Sequence, residues 1–212
     1  MRLHCLILAL SLLTVGAAGQ TAWDRSVNEW VAGQFPKKNI PEFEECVQYL
    51  PSAMHLGLGL AGANCRNGAW DRVIESAIGH AVCIITVKSA KAIVGTKRPD
   101  ENRRDSFPSG HTAIAFTGAG LCGYEYGIGW GVGAYALGTT VGAMRLYHNH
   151  HWLSDVLVGA GVGILSAGAG IGLREPVKKL FGIDTSGSRE MAFLPSYNPW
   201  GGGWSFSFGL VF

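Results

Sequence analysis

The sequence predicts an all-α protein in which apolar helices form a compact transmembrane bundle. Apolar stretches recur along the chain, glycines stand at helix-packing intervals, and short polar clusters separate the stretches. Hydrophobic residues make up 48% of the 212 residues and charged residues only 15%. This length fits one domain. The net charge of +2 is too small to indicate nucleic-acid binding.

The chain begins with the pattern of a secretory signal. Met1 and Arg2 precede an apolar run from Leu3 to Val15, and small residues follow. This order predicts a signal peptide over residues 1–19. An uncleaved signal anchor is the alternative, and either one places the next residues outside the cytoplasm.

Residues 20–47 form a polar segment with aromatic side chains among its charges, including Trp23, Trp30 and Phe43. Such a mixture is typical of an amphipathic segment that lies on a membrane surface. We therefore predict an interfacial segment here, with a solvated loop as the alternative.

The predicted helical core extends over residues 48–173. Some of its apolar stretches are short against the ~20 residues that a membrane span needs. Paired glycines such as Gly159 and Gly163 let helices approach closely, which suits a compact bundle of five helices. A soluble all-helical protein is the alternative. The stretches are 48–63, 74–94, 111–124, 128–144 and 154–173.

The C-terminal tail, residues 174–212, has a different pattern. Residues 184–203 are rich in Gly, Pro and Ser and indicate a linker. Residues 204–212 alternate apolar with small residues, which is a strand period. Because one strand cannot form a barrel, we expect this tail to pack on the bundle or lie at the interface.

Three polar clusters carry the chemistry of the chain. Charged groups that interrupt apolar segments are costly and usually functional. Arginine presents a planar fork suited to phosphate oxygens, and lysine adds a point charge. The clusters are Lys91 with Arg98-Pro99, Pro108-Ser109-Gly110-His111, and Arg145 with His151 and Asp155.

The spacing within each cluster predicts local structure. Lys91 and Arg98 are about two helical turns apart, so we expect both on one face of a helix that Pro99 ends. A tight turn at Ser109-Gly110 can direct N–H groups at an anion before an apolar helix begins. His151 and Asp155 have i, i+4 spacing, so we expect them on one helical face, where a carboxylate can orient an imidazole.

Together these clusters resemble the three-part signature of the type 2 phosphatidic acid phosphatase superfamily. The order and internal spacings match over roughly residues 48–173, with Met144 where the family usually has serine. The resemblance implies a helical bundle of the phosphatidic acid phosphatase and haloperoxidase type. It also implies an enzyme that needs neither metal nor other cofactor.

The resemblance assigns a role to each residue. His151 would be the nucleophile that forms a phosphohistidine, and Asp155 would orient it. His111 would protonate the leaving alkoxide and then deprotonate water. The phosphoryl oxygens would be bound by Lys91, Arg98, Ser109, Gly110 and Arg145.

Several alternatives stay open. A single basic residue near a helix end is often a snorkelling anchor. His148, His150 and His151 can form a solvated loop or part of a zinc site. A vanadate-dependent haloperoxidase, and a non-catalytic membrane scaffold or transporter with a degenerate site, are the competing functions.

The loops predict topology and substrate class. If residue 20 lies outside, loops 95–110 and 145–153 also lie outside, and the basic flank after residue 173 lies inside, as the positive-inside rule favours. The clusters are similar to those of a bacterial membrane branch of this superfamily, and with this topology the resemblance implies a bacterial inner-membrane protein whose site faces the periplasm and binds a lipid phosphate. Lipid A and undecaprenyl diphosphate are the preferred candidates, with phosphatidylglycerophosphate and phosphatidic acid also open. The oligomeric state is not indicated.

Overall fold

The computed structural model describes residues 21–35, 43–100, 103–185, 190–198 and 203–211. The predicted signal segment, residues 1–19, lies outside the described residues. The described elements are α1 (Ala22–Gln34), α2 (Glu44–Val47), α3 (Leu50–Gly57), α4 (Ala69–Val94), α5 (Gly110–Tyr126), α6 (Ile128–Tyr147), α7 (Leu153–Phe181), β1 (Glu190–Asn198) and β2 (Gly203–Val211).

Helix α5 lies at the centre of the bundle and packs against α3, α4, α6 and α7. Most of its buried side chains are small or apolar, among them Ala113, Ala119 and Leu121. Because small side chains let neighbouring backbones come close, four helices can surround this one. The predicted all-α bundle is confirmed.

The first apolar stretch forms a much shorter helix than its 16 residues, 48–63, suggest. Helix α3 ends at Gly57. The guanidinium of the buried Arg72 then packs against Gly59, where an added Cβ would lie 2.6 Å from its Nη2 atom. Arg72 also donates to the Asn67 carbonyl at 2.9 Å. The helix thus ends beside a buried cation.

Two of the described helices, α4 and α7, are long and apolar enough to cross a membrane. They support a membrane location. Helix α7 continues past residue 173 to Phe181, so the predicted tail begins inside a helix. Gly182 ends it in the left-handed region, at φ 62°.

Glycines on α7 bring it against the start of α5. A Cβ added at Gly159 would lie 2.6 Å from the Ser109 carbonyl oxygen, and one at Gly163 would lie 2.5 Å from that of Ala113. These two glycines therefore act as the predicted packing pair. Gly129 and Gly133, also spaced for packing, have no neighbouring atoms within 4 Å of an added Cβ.

Ion pairs join α4 and α7 at the end of the bundle where α4 begins. The Arg174 guanidinium donates to the fully buried Glu75 carboxylate, and Lys178 donates to Asp71 at 2.9 Å. Buried ion pairs of this kind are best known for fixing the register of packed helices.

The tail forms an antiparallel hairpin in which β1 pairs with β2 from Glu190↔Val211 to Asn198↔Gly203. The strand period of residues 204–212 matches β2. Its partner β1 lies within the stretch predicted to be a linker, because composition does not reveal a pairing partner. The hairpin is an addition to the helical core.

Candidate active site

The first cluster lies where α4 ends. Gly95 has φ 59° and its N–H donates to the Lys91 carbonyl at 3.2 Å, which closes the helix. Lys91 therefore lies in the last turn, whereas Arg98 lies in the following loop. The expectation of one helical face for both residues was wrong, since a left-handed glycine ends the helix before Pro99.

Asp105 holds these two cations together. Arg98 donates through Nε and Nη2 to the two carboxylate oxygens of Asp105, at 2.8 and 3.2 Å. Lys91 Nζ donates to the Asp105 backbone carbonyl. Partial burial alone would raise the pKa of Asp105, but the Arg98 hydrogen bonds and the nearby cations outweigh it and hold that pKa below its usual value. Asp105 thus connects Lys91 and Arg98, through its backbone carbonyl and its carboxylate. Sequence reasoning did not single it out.

The second cluster begins α5. Ser109 is fully buried at the N-cap, its Oγ lies 2.9 Å from Thr112 Oγ1, and its N–H donates to the Asp155 carbonyl at 3.0 Å. Gly110 and His111 form the first turn, and the N–H groups of a first turn have no acceptor within their own helix. The predicted apolar helix at this point is confirmed.

The third cluster spans the turn between α6 and α7. Arg145 is buried in the last turn of α6, and Asp155 is buried in the first turn of α7. His151, only 1% exposed, precedes the helix that begins at Leu153, so the expected position on a helical face was wrong. The pair still meets, with His151 Nδ1 at 3.6 Å from Asp155 Oδ2.

Asp155 is fixed by further contacts. Its Oδ2 atom accepts from the backbone N–H of Trp152 at 2.9 Å and from the hydroxyl of Ser106. Ser106 is fully buried. Sequence reasoning missed Ser106 because 49 residues separate the partners. Its proximity to the Pro108-Ser109-Gly110-His111 cluster was the available signal.

The surroundings of His151 keep its imidazole neutral. Burial lowers the pKa of His151 well below its ordinary value, the charges of Lys91 and Arg145 lower it further, and Asp155 opposes them only in part. A neutral ring keeps a lone pair for bond formation. This histidine is therefore suited to nucleophilic attack at neutral pH.

His111 has a partner outside the three clusters. Its Nε2 atom lies 2.9 Å from Glu45 Oε1, on the short helix α2. Sequence reasoning missed Glu45, since 66 residues separate it from His111 and no spacing connects them. The interfacial segment thus reaches the predicted acid–base residue.

The neighbouring histidines lie at the rim. His148 and His150 have ring centroids 5.9 Å apart, and His150 Nδ1 lies 3.5 Å from Asp100. Within the described ranges no three His, Cys, Asp or Glu side chains are placed to hold a metal ion. The zinc alternative gains no support from this arrangement.

Helix α1 is anchored to the third cluster. Asp24, only 1% exposed, accepts from the Ser154 backbone N–H at 2.9 Å and from its hydroxyl at 3.1 Å. Asn28 donates to Asn149 Oδ1 at 3.0 Å. The start of the helix that carries Asp155 is therefore held by the segment predicted to be interfacial.

The structure gathers the predicted residues at one end of the bundle. Asp105 joins the first cluster's cations, Asp155 joins the second and third clusters, and the charges of Lys91 and Arg145 act on His151. His111 follows Gly110 in the first turn of α5, and its ring contacts Glu45. The gathered residues are Lys91, Arg98, Ser109, Gly110, Arg145, His151 and Asp155.

The helical core and the three clusters of cations and histidines together indicate a class of phosphatase. Residues 75–175 match the family model of the PAP2 superfamily, and that range contains all three clusters. This match to the PAP2 superfamily, over the part of the chain that carries the clusters, confirms the resemblance drawn from the motifs.

Particular relatives agree with that class. A lipid A 1-phosphatase of Porphyromonas gingivalis is 36% identical over 163 residues, which are 75% of this chain and 35% of the relative. The chain thus spans about a third of that relative's length.

Two solved structures share the fold. The crystal structure of Aquifex aeolicus LpxE aligns with a TM-score of 0.56 and 22% identity over 72% of this chain and 97% of that one. A transmembrane PAP2-type phosphatidylglycerolphosphate phosphatase from Bacillus subtilis aligns with a TM-score of 0.54 and 23% identity, over 82% and 97%.

Proposed function

We propose that this protein is a membrane phosphatase that removes a phosphate from a lipid phosphate through a phosphohistidine. One observation carries the proposal: a buried, neutral His151 lies beside the Asp155 carboxylate and within the field of Lys91 and Arg145. A histidine can attack phosphorus only through an unprotonated ring nitrogen, and fixed cations stabilise the charge on the phosphoryl oxygens.

The first step transfers the phosphoryl group to the protein. With Nδ1 facing Asp155, the Nε2 lone pair of His151 attacks phosphorus, so a P–N bond forms as the ester P–O bond breaks. Asp155 stabilises the positive charge that develops on the ring. His111 donates a proton to the leaving alkoxide.

The second step releases phosphate. His111, now neutral, accepts a proton from water, and the water oxygen attacks phosphorus as the P–N bond breaks. The cations Lys91, Arg98 and Arg145 stabilise charge on the phosphoryl oxygens in both steps. The first-turn N–H groups at Gly110 and His111 add donors at a helix N-terminus, which favours anions.

Two observations support a lipid substrate and a membrane location. Helices α4 and α7 suit a membrane, and a site near their ends suits a lipid whose tails lie in the bilayer. The name of the Porphyromonas relative favours lipid A, with undecaprenyl diphosphate next. We place the protein in a bacterial inner membrane with its site toward the periplasm. The signal peptide predicted for residues 1–19 agrees with this location.

Phosphate release by the purified full-length chain in detergent tests this function. The panel contains lipid A, undecaprenyl diphosphate, phosphatidylglycerophosphate and phosphatidic acid. Activity on at least one of them is expected, with no loss in EDTA. His151→Gln abolishes release, whereas His148→Gln, three residues away at the rim, retains it. Strong EDTA inhibition, or full activity without His151, would overturn the mechanism.

A further inference from the structure

Asp24 of helix α1 is a buried carboxylate, and its own helix explains only half of its contacts. Its Oδ2 atom accepts from the Thr21 N–H at 3.1 Å and from the Thr21 hydroxyl at 2.9 Å, which completes the N-terminal cap of α1. A capping carboxylate of this kind needs no burial, and burial of a charge is costly unless donors satisfy it. Asp24 is nevertheless 1% exposed, and its other two donors belong to Ser154, 130 residues along the chain.

Helix α7 begins with a residue that cannot cap it. At many helix starts the side chain of the N-cap residue accepts from the second or third N–H of the helix. The N-cap residue of α7 is Trp152, whose indole can only donate and does so to the Lys97 carbonyl at 2.9 Å. Asp24 Oδ1 instead accepts from the Ser154 N–H at 2.9 Å. Asp24 is therefore an N-cap for α7 that another helix supplies, and its negative charge suits a helix N-terminus.

The residue that Asp24 caps adjoins the centre of the candidate site. Asp155 follows Ser154 directly, and its carboxylate lies 3.6 Å from His151 Nδ1. A displacement of the backbone at Ser154 therefore moves Asp155 relative to His151. The cations of the first cluster lie at the other side of the site, at the end of α4, where Asp105 joins them. Loss of the Asp24 contact should thus disturb the nucleophile more than the binding of phosphate.

We propose that Asp24 is a positioning residue of the candidate active site, which holds the first turn of α7 so that Asp155 stays aligned with His151. This inference rests on the proposed function and adds to it a residue from the segment before the helical core. Asp24 acts through the backbone of Ser154 and touches no reacting atom. Because alignment of the nucleophile matters most in the transition state, its loss should lower kcat and weaken a transition-state analogue.

Turnover and inhibition of the full-length chain in detergent test this role, with the lipid that the wild type hydrolyses fastest. Vanadate adopts the trigonal bipyramidal geometry of phosphoryl transfer and bonds to the nucleophile, whereas inorganic phosphate is held by the cations. Asp24→Ala should lower kcat and raise the Ki of vanadate, each at least about tenfold, while the Ki of phosphate changes less than about threefold. Glu29→Ala, which removes an exposed carboxylate from the same helix, should leave all three values unchanged.

The two inhibition constants separate positioning from stability, because a smaller folded fraction lowers kcat and changes neither Ki. Asp24→Asn keeps an acceptor for the Ser154 N–H, so its Ki for vanadate should lie between those of the wild type and Asp24→Ala. A wild-type Ki for vanadate in every folded Asp24 variant, or an equal rise of both constants, overturns the positioning role and leaves the phosphatase. Hydrolysis of no lipid phosphate by the wild type overturns the function and this inference together.

Discussion

A single methyl group at Gly159 should cripple the site without unfolding the bundle. The Cβ of Gly159→Ala would lie 2.6 Å from the Ser109 carbonyl oxygen, whereas ordinary contacts begin near 3.4 Å. Backbone atoms near Ser109 must therefore move by about 0.8 Å, the difference between these distances. The Ser109 carbonyl accepts the first hydrogen bond of α5, from Ala113, so the displacement reaches Gly110 and His111.

The magnitude follows from that displacement. A misplacement of about 1 Å in a catalytic arrangement can cost roughly 10²-fold in rate. Overpacking of this kind costs about 1–3 kcal/mol of stability, partly offset by the higher helix propensity of alanine, about 1 kcal/mol. We therefore expect Gly159→Ala to stay folded and to lose about 10²-fold in kcat/KM.

Phosphate release in detergent, with thermal melting as the check on folding, measures this effect. Gly161→Ala is the matched control, because it lies on the same helix and an added Cβ there meets nothing within 4 Å. It should retain wild-type activity. If Gly159→Ala remains within twofold of wild type while folded, the close contact between α7 and the Ser109 turn does not govern the site.

Three further predictions concern single side chains. Ser106→Ala removes a buried hydrogen bond to the Asp155 carboxylate, which is worth about 1.5–3 kcal/mol. We therefore expect kcat to fall at least tenfold, and a wild-type kcat would contradict this. Glu45→Gln weakens the exposed ion pair with His111, which is worth up to about 1 kcal/mol. We therefore expect kcat/KM to fall about fivefold at most. A larger loss would give Glu45 a direct role in the reaction. The folded state keeps His151 neutral, whereas the unfolded chain protonates it near pH 6.5, so stability should fall as pH drops below that value. Melting from pH 7 to pH 5 should show this loss in wild type and less of it in His151→Gln.

The helical core could be predicted because apolar stretches and glycine pairs are local signals. Four of the five predicted stretches correspond to α4, α5, α6 and α7. Their ends agree to within about five residues, except that α7 continues past residue 173 to Phe181. The stretch at 48–63 differs because its helix ends at Gly57, and the turn that follows packs against the buried Arg72. No period in a sequence reports which long-range partner will occupy a turn.

The candidate site was likewise predictable where its signals are local and not where they are long-range. Spacing located its central residues, since motif clusters are short and their order along the chain is visible. The supports Asp24, Glu45 and Ser106 were missed because they act across 130, 66 and 49 residues. Spacing also placed Arg98 and His151 on helices, although the chain leaves helical geometry at Gly95 and enters it only at Leu153.

The ion pairs between α4 and α7 have a mechanical consequence for the other end of the bundle. Glu75 and Lys91 belong to one helix and are about 24 Å apart along its axis. Arg174 and Asp155 belong to the other. The ion pairs join the two helices at one end of the bundle, and Lys91 and Asp155 lie near the opposite end, one on each helix. Axial slip at these ion pairs would shift Lys91 relative to Asp155, so the alignment of the candidate catalytic groups depends in part on charges outside the site.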